Sequence, residues 1–195
     1  IEEFMLLANR MVAESVGKVP KGKHPKTLPY RIHDNPDPQK LETLREFDVA
    51  LFSALNGCHN AYFDNFMWLV AGKFAWLLMI VALLLTLRDK GCRTALLTVL
   101  AVAVVIAIAD QVSSGIIKPI VERLRPSHNP DLAATIHVVN GYHGGLYGFV
   151  SSHAANSFGV ATLIALLFRN RLVTCAMLGW AVLVSYSRIY LGVHY

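Results

Sequence analysis

Three short runs toward the C-terminal end hold most of the chain's chemical capacity. They are Lys118-Pro-Ile-Val-Glu-Arg-Leu-Arg125-Pro126, Ser151-Ser152-His153 and Ser187-Arg188-Ile-Tyr-Leu-Gly-Val-His194. They set Lys118, Arg125, Arg188, His153 and His194 among segments otherwise apolar enough to cross a bilayer. Cations that never discharge suit an oligo-anion such as phosphate, because planar guanidinium forks meet its oxygens two at a time. Two histidines beside such a clamp can divide the work of nucleophile and proton donor. The chemistry indicated is phosphoryl transfer at a membrane surface.

Each residue also has a plainer reading. Lys118 and Arg125, about two helical turns apart, could simply anchor a helix end by snorkelling, and Arg123 would then be as informative as Arg125. Pro126 is expected to stop that helix and to give Arg125 its direction. Ser151 is a natural N-cap, and the free N–H groups of the helix it opens favour an anion. A lone histidine at a helix start, as His153 is, more often caps or faces solvent; beside a cationic cluster it becomes a general acid. Arg188 again reads as an anchor or a clamp, whereas His194 sits six residues later in a Tyr-rich turn with a glycine. Asp110 and Gln111 interrupt an apolar run, as either a functional site or an interhelical hydrogen bond. The run Asn140-Gly-Tyr-His-Gly-Gly-Leu-Tyr-Gly148 reads as a flexible loop over the site, with Tyr142 and His143 free to touch a headgroup. No strand–helix alternation frames it as a dinucleotide fingerprint.

The elements that must position these residues follow from composition. Of 195 residues, 54% are hydrophobic and 16% charged, which places the chain among membrane proteins. The basic residues form no stripe of the kind that binds nucleic acid. Cys58, Cys92 and Cys175 are far apart, without metal-ligand spacing. Apolar runs near 66–87, 94–117, 154–168 and 172–186 predict four crossings, with Lys73 snorkelling near the start of the first. A short interfacial helix precedes them, from Asp48 to Asn56-Gly57. Arg88, Lys90 and Arg93 lie in one short loop and Arg169 and Arg171 in another, so the positive-inside rule turns both loops to the cytoplasm. All three motif runs then meet at the opposite, extracytoplasmic face.

Residues 1–46 differ from the rest: they are polar and nearly neutral, with eight Lys/Arg and seven Asp/Glu. Helical spacing of apolar residues predicts a helix ending near Gly17, then a Lys/Pro-rich loop, a β-like run at 28–32, and a helix opened by Asp37-Pro38. This stretch resembles the end of the catalytic domain of ribonuclease R-type exonucleases, on "IEEFMLLANRMVAE…YRIHDNPDPQKLETLREF". That family's metal-binding aspartates lie upstream of the resemblance, so no nuclease site comes with it. The organisation expected is a foreign-looking segment over 1–46 and a membrane core over 47–195, with the chain a fragment at both ends.

From about Phe47 to Tyr195 the chain resembles the type 2 phosphatidic acid phosphatases, whose superfamily includes the vanadium haloperoxidases. Their signature is Lys-x6-Arg-Pro, then Pro-Ser-Gly-His, then Ser-Arg-x5-His-x3-Asp. Here Lys118-x6-Arg125-Pro126 is intact, Val150-Ser151-Ser152-His153 keeps Ser and His but loses Pro and Gly, and Ser187-Arg188-x5-His194 stops short of the Asp. The resemblance implies an all-α polytopic membrane helix bundle, needing neither metal nor cofactor, that acts on a lipid phosphate at the bilayer. By motif position His194 attacks phosphorus and carries a phosphoryl-histidine, and His153 protonates the leaving oxygen and then activates water. Lys118, Arg125, Arg188 and the N–H groups around Ser151 and Ser152 hold the phosphate oxygens. The departures predict a Ser152 side chain crowding the phosphate and a His194 without its orienting carboxylate, hence a chain inactive as it stands. An undecaprenyl pyrophosphate phosphatase of the bacterial cytoplasmic membrane is the first choice. The alternatives are an inactive lipid-phosphate-binding protein, an intramembrane serine hydrolase using Ser151 or Ser152, and a haloperoxidase holding vanadate. The apolar runs argue against the soluble haloperoxidases, and the missing Gly-x-Ser-Gly nucleophile turn and the surplus of cations argue against the hydrolase.

Overall fold

Apolar segments in lipid must satisfy their own backbone groups, and helices do so internally. The computed structural model describes residues 37–72 and 76–195, and apart from one isolated bridge its regular structure is helical. The helix expected before Gly17, the Lys/Pro loop, the β-like run, Lys73 and most of the exonuclease-like stretch lie outside the described residues. The chain divides into compact units at Ile1–Arg45 and Glu46–Tyr195, and the second carries every residue of the site.

Helix α1 is Pro38–Gly57, opened by Asp37, whose Oδ1 accepts from Gln39 N at 3.0 Å. It is one helix where a helix and a separate interfacial segment were expected. Phe47 and Leu51 stand exposed on it, while Phe52 and Asn56 are buried. Helix α2 (Ala61–Ala71) is capped by Asn60, and helix α3 is Leu77–Lys90. The single crossing expected over 66–87 is therefore two helices, because α2 ends where the Gly72 N–H turns back onto Trp68 O and Leu69 O.

Helix α4 (Cys92–Val121) and helix α6 (Arg171–Tyr190) are long and apolar enough to cross a membrane; between them α5 (Ser152–Phe168) is shorter and equally apolar. On α4, Leu96, Leu97, Leu100, Val104 and Ile108 all face outward, as an apolar solvent allows. Helix α5 packs along α6 and against α4, with α3 on α4 and α2 on α6. Small residues let these backbones close up: Ala161 and Ala181 are fully buried, and a Cβ at Gly159 would stand 2.8 Å from Val105 Cγ1. Val102, Val160, Ile164, Met177 and Val184 fill the core between them.

Within α4, residues Gln111–Ile117 widen into π-helix, and Lys118 N reaches back five residues to Ser113 O. Pro119 accounts for the wide turn, because its ring would strike the Gly115 carbonyl in an α-helix and it has no N–H to give. The helix then stops at Val121, with Glu122 left-handed at φ 49°. Lys118 and Arg125 thus do not share a helix, and Pro126 is not the stop. Pro126 instead opens a separate 3-10 turn after an extended Arg125.

Candidate active site

Arg125 sits on a short extended pairing between 123–125 and 146–148. Its N–H donates to Leu146 O at 3.0 Å, and Gly148 N donates to Arg123 O at 2.8 Å. The loop expected to be a flexible cover is the wall of this arginine. A Cβ at Gly148 would lie 3.1 Å from Arg125 Cγ, and one at Gly144, where φ is +66°, 3.1 Å from Nη1. Glycine is needed at 144 on both counts. The guanidinium is buried, and its Nη1 donates to Val193 O at 3.1 Å and to His194 Nε2 at 2.9 Å.

His194 is buried in the turn after α6. Its Nδ1 lies 2.6 Å from Gly148 O, and since a carbonyl only accepts, Nδ1 carries the proton and Nε2 the lone pair. The expected lack of an orienting partner is thus corrected: a backbone carbonyl holds the tautomer a carboxylate would hold. Burial, followed by the charges of Arg125 and Arg188, pushes the imidazole down to about 3. Lys118 adds to the same field. His194 is therefore neutral and nucleophilic at any ordinary pH.

Arg188 is buried in the last turn of α6, its guanidinium 5.4 Å from the ring of Tyr142 and its Nη2 3.5 Å from the Tyr142 hydroxyl. The Nε atoms of both Arg125 and Arg188 are buried with no hydrogen-bond partner among the described residues. Among the described residues the ion pairs are Arg88–Asp89, Arg123–Asp48 and His137–Asp64, and none involves Lys118, Arg125 or Arg188. Arg123, with Asp48 on one side and the Tyr195 ring 3.9 Å away, is occupied structurally, and this separates it from Arg125. Burial, then the neighbouring Arg188, lowers the pKa of Arg125. Buried cations without carboxylates are costly unless an anion joins them.

Ser151 caps α5, its Oγ accepting from Ala154 N at 3.4 Å. The Ser152 side chain, expected to crowd the phosphate, turns its Oγ to α4, 2.8 Å from Lys118 Nζ. His153 is exposed, without a hydrogen-bond partner among the described residues, and lies in the field of Arg188, Arg125 and Lys118. The two histidines open to different spaces. A cavity of about 480 Å³ is lined by His194, Gly148, Ser151 and Phe158, and one of about 240 Å³ by His153, Ser152, Asp110 and Trp180. His143 gives its carbonyl to Ser127 Oγ at 2.9 Å. No group of three or more His, Cys, Asp or Glu among the described residues could hold a metal ion.

Sequence reasoning missed the frame behind the third motif. Asn56 Nδ2 donates to His137 O (3.0 Å), Tyr190 O (2.9 Å) and Ile189 O (3.3 Å), and its Oδ1 accepts from His137 N at 2.7 Å. Asp64 Oδ1 accepts from the Tyr190 hydroxyl at 2.7 Å and stands 2.9 Å from His137 Nε2. The His59 ring stacks on His137, centroids 3.8 Å apart. These polar residues were visible, but their partners lie 73 to 134 positions away.

The sequence model of the PAP2 superfamily matches residues 94–195, the stretch that holds all three motifs. The chain belongs to the PAP2 superfamily. This PAP2 chain is 41% identical over 158 residues to the lipid A 4'-phosphatase of Bacteroides thetaiotaomicron, across 80% of this chain and 70% of that protein. It is 40% identical over 156 residues to the lipid A 4'-phosphatase of Porphyromonas gingivalis, across 80% of this chain and 66% of that one. The crystal structure of a transmembrane PAP2 type phosphatidylglycerolphosphate phosphatase from Bacillus subtilis superimposes with a TM-score of 0.53 at 19% identity. The match covers 97% of this chain and 82% of that one, and shows a common fold. A PAP2 helix bundle with two long apolar spans is that of an integral membrane protein.

Proposed function

We propose that this PAP2 protein hydrolyses a lipid phosphate monoester, with His194 as nucleophile and His153 as general acid and then base. The observation that carries the reading is the pair of buried guanidiniums whose Nε donors have no partner among the described residues. A phosphoryl group would satisfy both, joined by Lys118 and the N–H groups at the start of α5. These cations supply the charge neutralisation that phosphoryl transfer demands.

The His194 Nε2 lone pair forms the N–P bond as the P–O bond to the lipid breaks, and protonated His153 gives its proton to the departing oxygen. His153, now neutral, takes a proton from water, whose oxygen attacks phosphorus and breaks the N–P bond, releasing inorganic phosphate. Arg125 Nη1, which donates to Nε2 in the free protein, transfers to a phosphate oxygen when substrate binds. The positive loops at 88–93 and 169–171 support an extracytoplasmic site in a bacterial cytoplasmic membrane.

The lipid A 4'-phosphatases among the relatives favour a sugar-linked phosphate on lipid A over undecaprenyl pyrophosphate. Phosphate release by the purified protein from lipid A and from undecaprenyl pyrophosphate, in matched detergent micelles, tests this directly. Release from lipid A is expected, resistant to EDTA and blocked by orthovanadate, which mimics the five-coordinate transition state. Strict Mg²⁺ dependence, or release from neither lipid, refutes the proposal.

A further inference from the structure

Lys118 is held by a set of hydroxyls that no part of the phosphatase mechanism requires. Its Nζ donates to Ser152 Oγ at 2.8 Å and to Ser114 Oγ at 3.2 Å. Ser152 Oγ also meets Ser113 Oγ at 3.0 Å and Ser114 Oγ at 2.8 Å, and Ser114 Oγ is 3.5 Å from Asp110 Oδ1. We infer that Ser113, Ser114 and Ser152, with Asp110 at the end of their chain, are positioning residues that hold the Lys118 ammonium ready for phosphate.

Ser113 Oγ lies 3.3 Å from Asp110 O as well as 3.0 Å from Ser152 Oγ, and with its proton on the shorter contact the rest of the chain is fixed. In that arrangement the Ser152 oxygen accepts from Lys118 and from Ser113, and its own O–H donates to Ser114. The Ser114 oxygen then accepts from Lys118 and Ser152, so its O–H points to the Asp110 carboxylate, which can only accept. A directed chain runs from ammonium to carboxylate across two helices. Such chains strengthen in a low-dielectric setting, where each bond polarises the next. Two of the three Lys118 N–H groups are committed to it, and the third remains for an oxygen of the ligand.

The backbone explains why the chain exists. In the π-helical stretch Gln111–Ile117, Ser113 and Ser114 both bring a hydroxyl to Ser152 although they are consecutive. Consecutive residues of a regular α-helix point about 100° apart, so the wide turn that Pro119 demands is what permits this. A lysine carries more rotamer entropy than almost any side chain, and the hydroxyls remove it before the ligand arrives.

That this restraint serves phosphate binding rests on the phosphatase reading; the restraint itself does not, and two experiments separate them. First, orthovanadate binding is measured on the full chain in detergent for Ser114→Ala, Ser152→Ala, Lys118→Ala and the double variant Lys118→Ala/Ser114→Ala. Ser152→Ala keeps the backbone N–H that the mechanism uses. Each serine variant should weaken vanadate roughly tenfold without changing the melting temperature, and Ser114→Thr should restore binding. In the Lys118→Ala background Ser114→Ala should have no further effect. A full additional loss there would overturn the inference. Second, acylation of Lys118 by an amine-reactive ester, followed by peptide mass mapping, needs no activity. Its rate should rise several-fold in Ser114→Ala and Ser152→Ala, and an unchanged rate overturns the inference. If the wild type binds no vanadate but the acylation rates rise, the phosphatase reading falls and the hydroxyl cradle stands.

Discussion

Replacing Asn56 by alanine should cripple the protein from a position that touches no substrate. The carboxamide is buried and bonds His137 N at 2.7 Å, Tyr190 O at 2.9 Å and His137 O at 3.0 Å, with a longer contact to Ile189 O. It ties α1 to the loop at 137 and to the end of α6, between Arg188 and His194. Its removal strands the His137 N–H and the Tyr190 carbonyl, and each buried group left unpaired costs about 1–3 kcal/mol. The sum, about 4 kcal/mol, corresponds to a fall in melting temperature of roughly 10 °C for a unit of this size. Asn56→Asp is the sharper control: it has the same shape and keeps the acceptor, but turns an oxygen instead of an NH2 toward the backbone carbonyls. It should be no better than alanine. Thermal unfolding in detergent micelles, followed by tryptophan fluorescence, reads stability, and phosphate release below the transition reads function. Release should fall at least tenfold as Arg188 and His194 lose their fixed turn. Wild-type melting in both variants would refute the argument that this carboxamide holds the site together.

Four further outcomes rest on the same geometry. His194→Ala should insert and fold yet release no phosphate, while His153→Ala should lose far more rate on a lipid alkoxide than on nitrophenyl phosphate, because a general acid matters when the departing oxygen is basic; equal losses would make His153 structural. His194 titrates near 6.5 when unfolded and about 3 when folded, so between those values the unfolded chain binds the extra proton and stability falls as pH drops. The decline, up to about 1.4 kcal/mol per pH unit, should flatten in His194→Gln when denaturation midpoints are compared from pH 7 to 4. Gly192→Ala should destabilise by about 2 kcal/mol or more, since its Cβ would meet His137 O at 2.6 Å at a φ of +73°; a neutral melting curve would contradict that close approach.

Local pattern in the chain was enough to read an all-helical bundle and the two long apolar spans among the four crossings expected, and to single out the candidate site residues by type. Hydropathy over about 20 residues is a local property, and the signature Lys118…Arg125, His153, Arg188…His194 is a matter of type and spacing. Two of the local forecasts failed for local reasons. The crossing over 66–87 is two helices because the Gly72 N–H turns back onto Trp68 O and Leu69 O, and the helix bearing Lys118 ends at Val121, where Glu122 turns left-handed, rather than at Pro126. Which groups meet is settled by packing. Gly148 O took the place of an orienting carboxylate at His194 because the pairing of 123–125 with 146–148 aims that carbonyl at the turn after α6. Ser152 turned from an expected obstruction into the partner of Lys118 because a π-helical turn brings two serine hydroxyls to it. Asn56, Asp64 and His137 bond across 73 to 134 residues of chain. No spacing rule spans such separations, since helix packing, not the residues between, brings these groups together.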